Sequence, residues 1–290
     1  MAFASYVFDG LDDALEHVWQ STAPDADRRK WTLSFWAKTT ENVNIDPEEL
    51  NPYGIGFQSI FFDEEEEEPD FTFFAVSDTW VDPDEEVWPS QFYAGISPVG
   101  LELFEDPSFD TKVWHHYVVA FDSTQANEAD RIKIYIDGQL VAPSLWACEL
   151  NALSYFFLED ALFELGRFSE GPWFFAGKLA FFQIVSGAQL TPDAFGEESG
   201  GVWKHKPYEG SYGAWGLCLD GTGGFNDVSG NGFHFTNVGG VQLDPNDLPP
   251  HRAGSSAIYL GDTQINAIKL GSADIKAVYL GSTKIFEASG

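Results

Sequence analysis

The chain has 290 residues, 46 of them aromatic, which is enough apolar material for one large β domain or for a medium domain with an appendage. Its formal charge of −31, from 46 acids against 15 bases, argues against a surface for nucleic acid or anionic membrane and favours solubility at high ionic strength, where like charges are screened. No run of about 18 apolar residues offers a membrane span, and Met1-Ala-Phe-Ala-Ser-Tyr-Val-Phe-Asp-Gly10 lacks the basic start and apolar stretch of a signal peptide, so a soluble product made in a cytoplasm is expected.

Strand signals then follow along the chain: Trp31-Thr-Leu-Ser-Phe-Trp-Ala37, Phe71-Thr-Phe-Phe-Ala-Val76, His116-Tyr-Val-Val-Ala-Phe121, Arg131-Ile-Lys-Ile-Tyr-Ile136 and Lys178-Leu-Ala-Phe-Phe-Gln-Ile-Val185. Most are rich in aromatic and β-branched residues and are bounded by turn residues. Within Lys133-Ile-Tyr-Ile-Asp-Gly-Gln-Leu-Val141 the alternation sets Ile134 and Ile136 on one face, and Asp137-Gly138 is a hairpin turn. The helical signal is short: at Thr191-Pro-Asp-Ala-Phe195, Thr191 can cap and Pro192 can open a turn of helix. The pattern predicts an all-β chain, a sandwich of two antiparallel sheets.

Candidate sites are weighed in the same order. Asp63 and the run Glu64 to Glu68 read as a solvated loop, with a weak calcium or basic-partner patch as the rarer reading. The stretch 78–93 is the best binding-loop candidate. Trp80 and Trp88 lie among charges and prolines, with Tyr93 at its end, and an indole can stack on a sugar ring while carboxylates accept its hydroxyls. In the competing reading both tryptophans pin the loop to the sandwich or fill a subunit contact. His115 and His116 point to opposite faces of one strand and cannot readily ligate one ion. Cys148 and Cys218 lie in apolar runs with no metal-type neighbours and are expected as free buried thiols, with a disulfide between them the lesser reading. Asp220, Asn226, Asp227 and Asn231 offer oxygens in a Gly-rich stretch that turns explain adequately, with calcium as the alternative. No cofactor is expected.

Asp244-Pro-Asn-Asp-Leu-Pro-Pro-His251 breaks regular structure and reads as a linker. Three ten-residue units follow without insertion: Ala257-Ile-Tyr-Leu-Gly-Asp-Thr-Gln-Ile-Asn266, Ala267-Ile-Lys-Leu-Gly-Ser-Ala-Asp-Ile-Lys276 and Ala277-Val-Tyr-Leu-Gly-Ser-Thr-Lys-Ile-Phe286. Gly-Asp or Gly-Ser at the centre of each is two-residue hairpin chemistry. This segment is a separate compositional unit, because residues 251–290 hold three acids and four bases whereas the first 250 residues hold 43 acids and 11 bases. Ile265-Asn-Ala-Ile-Lys-Leu270 reads as one strand with apolar groups on both sides. Ile258, Leu260, Ile265, Ile268, Leu270, Ile275, Val278, Leu280 and Ile285 are therefore expected to join copies of the chain or to dock it.

The order of motifs carries a resemblance. Phe8-Asp-Gly-Leu-Asp-Asp13, Leu33-Ser-Phe-Trp-Ala37, Trp114-His-His-Tyr-Val-Val-Ala-Phe-Asp122, Lys133-Ile-Tyr-Ile-Asp-Gly-Gln-Leu-Val141, Leu165-Gly-Arg167 and Phe175-Ala-Gly-Lys-Leu-Ala180 precede Gln189-Leu-Thr-Pro192. Over residues 5–195 this succession resembles the laminin-G-like, concanavalin-A-type jelly roll. Gly213-Ala-Trp-Gly-Leu-Cys-Leu-Asp220 and Asn226-Asp-Val-Ser-Gly-Asn-Gly-Phe-His-Phe235 resemble the segment that often accompanies it. The decapeptides resemble the glycine-turn repeats near the ends of bacteriophage tail, fibre and head-decoration proteins. These resemblances imply a jelly roll over 1–195, an accessory β segment over 196–243, the linker at 244–252 and the repeats at 253–290. They imply a structural protein of a bacteriophage virion, made in the host cytoplasm and active in recognition or decoration without catalysis. Its implied partners are copies of itself in a trimer or other symmetric oligomer, other virion proteins and a host-surface polysaccharide. The signature of laminarinase-like glycanases, Glu-x-Asp-x-x-Glu or Glu-x-Asp-x-Glu, does not occur. A glycan hydrolase is thus one alternative, beside a capsid cement protein without ligand.

Overall fold

The computed structural model describes residues 2–40, 110–141, 148–167 and 174–251, together with the backbone of the further strands named below. In chain order the strands are β1 (Ser5–Asp9), β2 (Ala14–Val18), β3 (Lys30–Thr39), β4 (Phe57–Phe61), β5 (Asp70–Ser77), β6 (Trp80–Val81), β7 (Val87–Trp88), β8 (Gln91–Ile96), β9 (Gly100–Glu105) and β10 (His115–Asp122). They continue with β11 (Ile132–Ile136), β12 (Gln139–Val141), β13 (Leu162–Leu165), β14 (Ala176–Ser186), β15 (Gly196–Ser199), β16 (Val202–His205), β17 (Leu217–Leu219), β18 (Thr236–Val238) and β19 (Gln242–Asp244). The first sheet runs β12-β11-β10-β3-β14-β1-β19, and β17 pairs with β14 beyond the end of β1. The second runs β18-β2-β13-β4-β5-β8-β9, and the pairings in both are antiparallel. Among the described residues no helix is long and apolar enough to cross a membrane.

Side-chain alternation makes these two sheets one sandwich. Phe35, Tyr117, Val119, Ile134 and Phe182 of the first sheet and Leu15, Phe163 and Leu165 of the second belong to a single buried cluster, with the Phe163 and Phe182 rings 6.0 Å apart. Burying each such side chain is worth about 1.5–3 kcal/mol. The chain is therefore an all-β sandwich, as the strand and turn pattern predicts, of the jelly-roll kind that the motif resemblance implies. Ile132, Ile134 and Ile136 are buried while Lys133 and Tyr135 are half-buried. The turn after them has Asp137 at φ 48° and Gly138 at φ 78°, the doubly left-handed pair that a two-residue hairpin demands.

Strand β3 is buried along nearly its whole length, on both faces. One face meets the core. The other is covered by the hairpin β15–β16 and the segment after β19: Trp203 and Leu248 pack with Trp36, Ala180 and Phe181, and the His205 amide donates to the Pro250 carbonyl. A bulge in β14 between Ala180 and Gln183, with Phe181 at φ 49°, puts Ala180 and Phe181 in this outer cluster and returns Phe182 to the core.

Segment 196–243 supplies strands to both sheets, β17 and β19 to one and β18 to the other, and so completes the sandwich. Two details differ from the sequence reading. The linker segment begins inside β19, and its Asp247 is ion-paired to Lys38 and Lys178, which face each other across β3 and β14. Pro192–Ala194 forms a 3-10 turn with proline at its start, but the Thr191 side chain makes no capping bond, since the turn is too short to leave the row of free amides that a cap serves.

Residues 251–290 form a second compact unit. Its strands are β20 (Ile258–Leu260), β21 (Thr263–Ile265), β22 (Ile268–Leu270), β23 (Ala273–Ile275), β24 (Ala277–Leu280) and β25 (Thr283–Glu287), paired as three separate hairpins. The expectation of one strand over 265–270 is corrected: Ile265 ends one hairpin and Ile268 begins the next, because each Gly-centred turn closes its own ladder. By register Ile258, Leu260, Thr263 and Ile265 share one face of the first hairpin, and Tyr259 and Gln264 share the other. The second repeats this with Ile268, Leu270, Ala273 and Ile275 against Lys269 and Asp274. In the third, a register shift after Val278 leaves Ile285 without an opposite residue.

Candidate functional site

The outer face of the second sheet carries a charged group on β2 and β13 and just after β13. Phe163 and Leu165 of β13 are core residues, so Glu164 between them belongs to the opposite face. It is nevertheless buried. Its Oε1 accepts from Arg167 Nε at 2.7 Å and from Nη2, and the same Nη2 lies 2.6 Å from Glu16 Oε1. Glu16 sits directly opposite Glu164 across β2 and β13. The side chains of Arg167 and Glu16 are 24% and 27% exposed, so solvent and solutes reach the group through them. Burial works against the Arg167 charge, but Glu164 and Glu16 more than offset it and its pKa is raised. In the sequence Leu165-Gly-Arg167 reads only as a fold motif, and nothing local singles out Glu16 as its partner. A glutamate inside the apolar run Leu162-Phe-Glu-Leu165 was the available signal.

Of the expected ligand residues, Tyr93 belongs to the second sheet, while Trp80 and Trp88 belong to a separate two-stranded ladder. Stretch 78–93, expected as a loop, contains the two-residue strands β6 and β7, which set Trp80 directly opposite Trp88 and Val81 opposite Val87. A cross-strand tryptophan pair is compatible with a hairpin, which is why charges and prolines nearby did not prevent one. Tyr93 lies within β8, opposite Ala75 and Leu103. The carboxylate run 63–68 lies outside the described residues.

Other candidates resolve into structure. His116 is buried between Trp36 and Trp203, with ring centroids 4.9 and 6.1 Å away. Trp203 Nε1 donates to His116 Nδ1 at 2.9 Å, so the proton is on Nε2, 2.9 Å from Ser34 Oγ. His115 Nδ1 lies 2.6 Å from Asp137 Oδ2, while the other oxygen of Asp137 accepts the His116 amide. The Asp227 carboxylate is saturated: Oδ1 accepts from the Cys218 and Ser229 amides, and Oδ2 from Ser229 Oγ and the Gly232 and Phe233 amides. Asp220 Oδ1 accepts from Thr222, and the Asn231 amide donates to the Gly213 and Gly216 carbonyls. This stretch is built as turns. Cys148 and Cys218 are free and buried, and burial pushes their thiols up, to about 11 and about 12. Asp9, Asp12 and Asp13 bring carboxylate oxygens within 4.8 Å of one another. Turn bonds engage two of them, with the Leu11 amide on Asp9 Oδ1 and the Asp9 amide on Asp13 Oδ2, and burial followed by the neighbouring acids raises the Asp13 pKa.

No family model matches the sequence, and no curated protein does. Among solved structures, the native heptameric SAP-like pentraxin from Limulus polyphemus aligns at TM-score 0.49 and 10% identity over 83% of this chain and 94% of its own. A putative carbohydrate binding protein from Bacteroides ovatus aligns at TM-score 0.44 and 12% identity over 86% of this chain, which spans 62% of that protein. A conserved carbohydrate esterase from the Shiga toxin-encoding bacteriophage phi24B aligns at TM-score 0.34 and 14% identity, covering 61% of this chain and 76% of its own. At these values the likenesses assign no ligand, activity or assembly to this chain.

Proposed function

We propose that this protein is a glycan-recognition component of a bacteriophage virion, a tail, fibre or head-decoration protein. Its sandwich binds host-surface polysaccharide and its C-terminal hairpins join copies in a trimer or other symmetric oligomer and dock them on the particle. The observation that carries the glycan reading is the short ladder whose register pairs Trp80 with Trp88, in a stretch whose sequence also holds Asp78, Asp82, Asp84, Glu85 and Glu86; indoles are suited to stacking on sugar rings and carboxylates to accepting hydroxyls. The acidic body favours a neutral glycan over an anionic one. The virion reading rests on the decapeptide repeats. Recognition here involves no bond cleavage. A glycosidase acid–base pair keeps one carboxyl protonated by an apolar setting, whereas Glu16 and Glu164 both accept from one guanidinium.

The test is a glycan array and host-cell binding with the full chain and with Trp80→Ala and Trp88→Ala. Each substitution is expected to weaken binding by about 1–3 kcal/mol, the scale of a lost stacking contact, with an unchanged circular dichroism spectrum. A wild-type protein that binds no glycan and no cell would overturn this reading in favour of a structural cement.

A further inference from the structure

Strand β18 closes one edge of the second sheet, but its ladder with β2 is short: Thr236, Asn237 and Val238 pair with Glu16, Leu15 and Ala14. One position further along β2 the attachment passes to a side chain, because His17 Nδ1 lies 3.0 Å from the His234 carbonyl oxygen. A carbonyl can only accept, so Nδ1 carries the proton and Nε2 keeps a lone pair. Nε2 is closed off from solvent, and among the described residues it has no hydrogen-bond partner. Around the ring stand Trp19, Phe233 and Phe235, with centroids 4.9, 5.6 and 5.6 Å away, and Phe163 is its opposite on β13. A second proton would place a charge and an unsatisfied N–H among these rings. Burial is the largest influence on His17 and lowers its pKa; the His234 carbonyl and the Asp227 carboxylate pull the other way, and the His234 ring adds to burial. Glu16 and Glu164 occupy the other face of the sheet.

We propose that residues 233–238 form an acid-released flap, latched onto β2 by the neutral ring of His17. Both ends of the flap are anchored independently of it. Before it, the Asp227 turn is bound to the Cys218 amide of β17; after it, β19 pairs with β1. Glycines with positive φ stand at both junctions, Gly232 at 83° on one side and Gly239 and Gly240 at 79° and 145° on the other, where the backbone can turn with least steric resistance. Phe233 and Phe235 ride on the flap. Their rings lie 4.9 Å from Trp19 and 5.9 Å from Phe163, so lifting it uncovers Trp19, which is fully buried when the flap is closed, and frees the edge of β2. The closed form prefers the neutral ring, whereas on opening His17 returns to its ordinary 6.5. The latch is therefore complete above that value and weakens as pH falls towards the lowered one.

Hydrogen exchange of the full chain, read by mass spectrometry from about pH 7.5 to about pH 5 and corrected for the intrinsic pH dependence of exchange, tests the latch. Amides in 233–238 are expected to exchange ahead of those in β3 and β10 at every pH. Below 6.5 their opening is expected to rise with acid by up to roughly tenfold per pH unit, the limit for one proton. His17→Gln, which does not titrate and keeps an N–H for the His234 carbonyl, is expected to lose that rise. His17→Phe, which keeps a ring but neither the bond nor the titration, is expected to open more at every pH, again without the rise. Opening that does not change with pH in the wild type would overturn the latch, as would a rise that persists in either variant. Exchange of 233–238 in step with β3 and β10 would overturn it too, since acid would then be unfolding the whole sandwich.

Discussion

His116 belongs to a residue type that usually titrates near neutrality. Here burial, with His205 adding to it, pushes its pKa down to about 3. Its bonds to Trp203 and Ser34 fit the neutral ring, so a proton would find no acceptor on Nδ1. The unfolded chain, with His116 near its ordinary 6.5, binds a proton that the folded chain refuses. This contribution to stability is complete above the unfolded value and is lost progressively as pH falls towards the folded one. His17, also lowered by burial, acts in the same direction. Urea unfolding is expected to show stability falling between about pH 7 and about pH 5, and less steeply in His116→Gln, whose amide can replace both bonds. An identical pH slope in the two proteins would contradict this role. Apolar residues are simpler. Ile134 is 3% exposed within the core cluster, so Ile134→Ala should cost about 2–5 kcal/mol in the same assay.

Among the elements, the segment after β19 acts as a strap across the outer face of the first sheet. Asp247 accepts from Lys178, Lys38 and Trp114, while Leu248 enters the apolar cluster beneath it. Burial alone would raise the Asp247 carboxyl, but these donors hold it down at about 2. Its contribution is present above the ordinary carboxylate value and lost as pH falls through about 2. Asp247→Asn should cost about 1 kcal/mol, because the side chain is partly exposed and screened, and should lower the melting temperature by about 2–4 °C at pH 7. An unchanged melting temperature would show that the strap is held by Leu248 and the backbone alone. The hairpins at the other end of the chain present the opposite case. Each is a two-stranded ladder of the kind that is marginally stable in isolation, and by register the first two place their isoleucines and leucines on one face.

For the whole molecule, the charge contrast between the body and the last forty residues sets the expected assembly. Copies of the acidic body repel, whereas the near-neutral hairpins, two of which set their isoleucines and leucines on one face, can associate. Light scattering is expected to find an oligomer for the full chain and a monomer for a chain ending at His251. A monomeric full chain, or an oligomer that survives the truncation, would remove the hairpins from this role.

Sequence alone determined the fold class, the Ile134 and Ile136 face, the Asp137-Gly138 turn, the free cysteines and the three Gly-centred hairpins. All of these are local: alternation and turn chemistry are set by neighbours within a few residues. Only the tertiary structure decided that β17, β18 and β19 complete both sheets, that Trp203 and Leu248 bury the second face of β3, and that Glu16, Glu164 and Arg167 converge. Their partners stand up to 239 residues apart in the chain, as Ser5 and Asp244 do. Strand order is set by which apolar faces can be buried together, and no local pattern encodes that choice.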